Sequence, residues 1–143
     1  METADYLKER LGGVPEMLII AGSGLSGLGE LAEDAVEVPY SEIPGFLRST
    51  VKSHRGVLVG GRIRGKRVAI MCGRFHYYEG YDLKKLVYPV EAFARLGTKT
   101  LIVTNAAGGI DQSFQPGDLM LIRDHINFAG LNPMLGPNDD TLG

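Results

Sequence analysis

Uninterrupted apolar runs, more than alternating ones, dominate the hydrophobic pattern of this chain. MLIIA at 17–21, VAIMC at 68–72 and TLIVT at 100–104 read as buried strands. Strands of a parallel sheet are covered above and below and need no polar face. Two extended runs, 57–63 and 66–72, flank Arg64-Gly65 and predict a β-hairpin. Between 31 and 50, Pro39, Pro44 and Gly45 make the chain turn-rich, with one brief strand around 36–38. Helical spacing appears twice. Thr3 and Asp5 precede Leu7 and Leu11 in a weak amphipathic helix stopped by Gly12-Gly13. Asp82 can cap a second helix whose apolar positions are Leu83, Leu86, Val87, Val90 and Phe93, with Gly97 as its stop. Pro89 interrupts that helix and predicts a kink or a fresh start. After a turn at Gln115-Pro116-Gly117-Asp118, LMLI at 119–122 reads as a further strand, and 131–143 has loop composition.

Composition narrows what these elements can build. At 143 residues the chain is long enough for one domain with a sizeable core and too short for two ordinary ones. With 44% hydrophobic and 22% charged residues and no biased tract, it is globular. A net charge of -2 gives no field for nucleic acid or an anionic membrane surface, so neither is expected as a partner. The longest apolar runs are far below the length of a membrane span. A single cysteine, Cys72, cannot form an internal disulfide, and with no signal-peptide pattern it points to a reducing cytoplasm.

Candidate chemistry gathers where the strands end. GSGLSGLGE at 22–30 follows the first strand. Gly22 and Gly24 let the backbone turn sharply and bring N–H groups near a bound anion, and the Ser23 hydroxyl adds a donor. The other reading is a strand-to-helix turn that needs glycine only for its dihedrals. The spacing is neither the dinucleotide fingerprint nor the P-loop. GRFHYYEGY at 73–81 follows the second strand and packs Arg74, His76, Tyr78 and Glu79 together. Arg74 offers a forked, permanently charged donor suited to phosphate oxygens, His76 can donate to the same anion, and Glu79 can orient a histidine or a substrate hydroxyl. The competing reading makes Phe75, Tyr77 and Tyr81 core aromatics and pairs Arg74 with Glu79 as a structural ion pair. NAAGG at 105–109 follows the third strand. Ligands of open α/β sheets collect at such ends, so the loops after Ala21, Cys72 and Thr104 are expected to share one crevice. His54, in SHRG, stands just before the hairpin. The histidines at 54, 76 and 125 lack metal-ligand spacing, so no metal site is expected.

Five ordered motifs, GSGL at 22–25, SHRG at 53–56, GRFHYYEGY at 73–81, TNAAGGI at 104–110 and GDLMLIRDHIN at 117–127, together resemble the purine nucleoside phosphorylase family in its trimeric, low-molecular-mass branch. SEIPGFLRST at 41–50 is also similar to that family. The resemblance implies an α/β fold with a mixed central sheet and flanking helices, and an enzyme that cleaves purine nucleosides with inorganic phosphate to free base and ribose 1-phosphate. Methylthioadenosine phosphorylase is the neighbouring alternative, and GRFHYYEGY favours the nucleoside branch. By position, Ser23, Arg74, His76 and the Ala106 N–H would hold phosphate with His54 beside it, Tyr78 would meet the ribose, and Glu79 would orient the phosphate-side groups. His76, Glu79 and His54 are the residues the resemblance marks as catalytic, with no metal or organic cofactor. Family members continue past the point matching Gly143, and that stretch carries the groups that hold the purine. The resemblance therefore implies one incomplete domain over 1–143, truncated at its C-terminal side. It would be completed by association, with a chain bearing the remainder or with copies of itself as in the family's trimers. The alternative is a non-catalytic fragment serving as an assembly partner.

Overall fold

A computed structural model describes residues 2–48 and 55–141. The hairpin is the most locally determined part. Strands β3 (Val57–Ile63) and β4 (Lys66–Cys72) pair antiparallel with Ile63 opposite Lys66, so Arg64 and Gly65 alone make the turn. Both have positive φ, 50° and 77°, which is the two-residue turn whose twist matches that of its strands.

Strand β1 (Met17–Ala21) lies parallel to β4 on one side and to β5 (Thr100–Val103) on the other. Strand β2 (Glu33–Pro39) pairs antiparallel with β3 and completes a mixed sheet in the order β2-β3-β4-β1-β5. The expected brief strand at 36–38 is thus longer. Its extra residues include Glu33 and Asp34 at a solvent-facing edge, where charge guards an unpaired strand and leaves no apolar pattern to read.

Helices α1 (Thr3–Arg10) and α2 (Leu83–Leu96) cover one face of the sheet. Leu7, Leu11, Ala92 and Phe93 pack there against Leu18, Leu58, Ala69 and Met71. On the opposite face Val59, Val68, Ile70 and Cys72 are buried beneath a 3-10 turn, Ser26–Leu31, through Leu28. The β4 positions therefore alternate between two covered faces, which is why VAIMC carries no polar residue. Asp82 caps α2 by accepting the Lys84 N–H at 2.9 Å, and Gly97, with φ of 102°, ends it. The expected fresh start at Pro89 does not form. One continuous helix runs through it, with the proline buried.

Two expectations at the far side of the sheet are corrected. Strand β5 forms, but it is the sheet's last strand and all four of its residues are exposed, so it is not a buried strand. The run at 119–122 is not a strand at all: Leu119 and Leu121 are 99% and 95% exposed. An extended apolar run becomes a strand only with a neighbour to pair with, and among the described residues nothing lies beyond β5 to supply one.

Candidate active site

Parallel pairing sets three strand ends side by side. Ala21 faces Cys72 and Ile20 faces Val103, so Gly22, Gly73 and Thr104 begin three neighbouring loops. These loops are bonded together. The Gly22 N–H donates to the Thr104 hydroxyl at 2.8 Å, and that hydroxyl donates to the Ile20 carbonyl at 3.0 Å. Arg74 Nη1 donates to the Thr104 carbonyl at 2.9 Å. A Cβ on Gly22 would lie 2.5 Å from that same carbonyl oxygen, so only glycine permits the approach. The expected convergence after Ala21, Cys72 and Thr104 is therefore present, with Arg74 reaching across it.

The GRFHYYEGY segment is held from behind. The buried Tyr40 hydroxyl donates to the Gly73 carbonyl at 2.7 Å, and its ring meets Phe46 and Phe75 edge-on at centroid distances of 5.9 and 5.3 Å. Burial pushes the Tyr40 hydroxyl pKa far up, so it is a permanent donor. Burial also raises the thiol of Cys72 at the end of β4, which keeps it neutral and unreactive. The Tyr81 hydroxyl donates to the Arg48 carbonyl at 2.6 Å, fastening the far end of the segment.

Between these anchors the polar groups turn outward. Glu79 Oε1 accepts the His76 N–H at 2.8 Å, closing a short 3-10 turn that Gly80 ends with φ of 83°. Glu79 thus fixes the backbone of His76. The Tyr78 ring stacks on the His76 imidazole, 4.8 Å apart at 16°, and is itself 73% exposed. Of the aromatics that could have been core, Phe75 is buried, Tyr77 is exposed and Tyr81 is half-buried. Ser23 and Ala106 are exposed in the flanking loops. His54 lies outside the described residues.

Strand ends that present N–H groups beside a guanidinium can neutralise and orient an anion of several oxygens. A hollow of about 380 Å³ lined by Pro15, Met17, Lys66 and Thr100 lies instead where the strands begin. It is open, and its Lys66 is already paired with Glu16 at 2.9 Å, so the strand ends are the better candidate site. Sequence reading missed Tyr40 and Thr104 as parts of this site. Tyr40 left no local signal, and the partner of Thr104 lies 82 residues away.

Fold and site together define an α/β protein whose candidate crevice lies at the C-terminal ends of parallel strands. The family model of the phosphorylase superfamily matches residues 16–142. The chain is 52% identical over 142 residues to purine nucleoside phosphorylase 1 of Geobacillus stearothermophilus, covering 99% of this chain and 52% of that protein. It is 49% identical over 144 residues to the purine nucleoside phosphorylase of Mus musculus, covering 99% and 50%. The crystal structure of isoform 2 of purine nucleoside phosphorylase from Schistosoma mansoni, in complex with cytosine and ribose-1-phosphate, matches with a TM-score of 0.88 at 42% identity, over 99% of this chain and 50% of that one. The chain belongs to the phosphorylase superfamily, among its purine nucleoside phosphorylases, as the five motifs indicated. It spans about half the length of the curated relatives it matches.

Proposed function

We propose that this chain contributes the phosphate side of a site for the phosphorolysis of purine nucleosides. The observation that carries the reading is the junction at Thr104, which draws the GSG loop, the Arg74 guanidinium and the start of the NAAGG loop to one point. In this reading Ser23, Arg74, His76 and the Ala106 N–H hold inorganic phosphate, with His54 beside them. Tyr78, stacked on His76, meets the ribose. Glu79 acts through the backbone of His76, keeping that residue in register with Arg74.

The chemistry asks mainly for position and charge. As the bond from C1′ to the purine nitrogen breaks, its electron pair leaves with the base, which takes up a proton, and positive charge develops on the sugar. A phosphate dianion fixed on the opposite face stabilises that charge and then forms the new C1′–O bond. Inorganic phosphate is the co-substrate, and the step calls on no metal or organic cofactor. Purine contacts come from sequence matching the other half of the relatives. The exposed β5 side is where this chain would associate, with a partner chain or in a homo-oligomer of the trimeric kind. The setting is the cytoplasm.

The test is phosphate-dependent release of hypoxanthine from inosine, by the chain alone and with any co-purifying partner. Activity in the completed assembly, lowered at least tenfold by Arg74→Ala, is the expected result. No activity in either preparation, with phosphate binding indifferent to Arg74→Ala, overturns the reading. The second reading, a non-catalytic assembly partner, draws on the exposure of β5 and of the apolar residues at 119–122. It predicts complex formation without phosphate binding.

A further inference from the structure

We propose that Thr104 is the positioning residue of the anion cradle, a role that rests on the phosphate reading above. Thr104 bonds both the turn after β1 and the guanidinium after β4. Its hydroxyl takes the Gly22 N–H at 2.8 Å and gives its own proton to the Ile20 carbonyl at 3.0 Å, while its backbone N–H reaches that same carbonyl at 3.1 Å. Its own carbonyl takes a guanidinium N–H of Arg74 at 2.9 Å. The hydroxyl's one donor is thus spent on the Ile20 carbonyl, so Thr104 has no hydroxyl proton left to offer an anion. It acts through Gly22 and Arg74.

The division of labour at the loop changes accordingly. The Gly22 N–H is committed to Thr104 and is not an anion donor, so the donors of the GSG turn begin at Ser23. Gly22 is glycine because the Thr104 carbonyl passes 2.5 Å from where a Cβ would stand, and that carbonyl cannot retreat without releasing Arg74. One threonine thereby sets the spacing between the turn after β1 and the guanidinium after β4. Preorganising both before the anion arrives removes the ordering cost from binding.

Thr104→Val keeps the shape and the β-branch but removes the hydroxyl, and Thr104→Ser restores it. Gly22→Ala strains the same junction from the other side and carries the test if Thr104→Val does not fold. Two readouts on the full chain are needed: calorimetric titration with inorganic phosphate, and hydrogen exchange at the Gly22 amide. The expected result is phosphate affinity lowered about tenfold in Thr104→Val and Gly22→Ala. Affinity within about threefold of the parent is expected for Thr104→Ser, with faster Gly22 exchange in Thr104→Val only. Parental phosphate affinity in both Thr104→Val and Gly22→Ala overturns the proposal. If the parent chain binds no phosphate yet Gly22 exchange rises in Thr104→Val, the phosphate reading fails and the junction stands. If exchange is also unchanged, both fall.

Discussion

At Gly73 a single carbonyl decides how the chain leaves β4. It is buried and bonded to the Tyr40 hydroxyl, whose ring is itself enclosed by Phe46 and Phe75. Tyr40→Phe would keep the ring and strand the carbonyl. A loss of about 1–3 kcal/mol in folding stability is expected, read by chemical denaturation, because a buried acceptor without a donor bears its full desolvation cost. Such a residue is hard to find in a sequence, since its partner lies 33 positions away and nothing in SEIPGF announces it. Arg74 and His76 were legible because titratable groups crowded after an apolar run are unusual. Their neighbours were not told apart. The pattern did not say that Phe75 turns inward and Tyr77 outward, nor that Glu79 serves the His76 backbone, since that depends on how Gly80 ends the turn.

Elements built on near neighbours were read well. The hairpin, with its Arg64-Gly65 turn, and α2, between Asp82 and Gly97, both carry their geometry in a few adjacent residues. Asp82→Ala should cost about 1 kcal/mol through the lost bond to the Lys84 N–H, measured as a shift in the urea midpoint. Gly65→Val, a β-branched residue forced to φ of 77°, should cost more than about 1 kcal/mol in the same measurement, whereas Gly65→Asn should be tolerated. Elements defined by distant partners were read poorly. Strand β2 hid behind its charges, and residues 119–122 looked like a strand yet have none to join among the described residues. Periodicity records what a segment can do, while pairing depends on what stands beside it.

On the scale of the whole molecule the two edges of the sheet differ. β2 is guarded by Glu33, Asp34 and Glu37, whereas β5 exposes Leu101, Ile102 and Val103. An unguarded apolar edge invites another strand, so the chain is expected to associate, and Ile102→Lys should shift sedimentation towards the monomer. The segment after β5 is fastened back to the body at Arg95, which pairs with Asp139 and donates to Thr141 at 3.0 Å. Bonds from Thr141 and from Arg95 hold the Asp139 pKa at about 2, below the ordinary 3.8. The depressed carboxylate favours the fastened form above pH 3.8, and that preference is lost as pH falls through 2. Proteolysis by an acid-active protease should therefore release this segment faster at pH 2 than at pH 4, and Asp139→Asn should remove the difference.

The Gly22–Thr104 junction also has a place in time. Its two residues are separated by 82 positions, and at roughly 5–20 residues per second during synthesis the second follows the first by several seconds. For the first part of that interval β1, the strand at the centre of the parallel set, waits with neither neighbour, because β4 and β5 are both made after it. The crevice thus cannot form before residue 104 is made, and a ribosome paused before residue 100 would hold a hairpin and two helices without the junction.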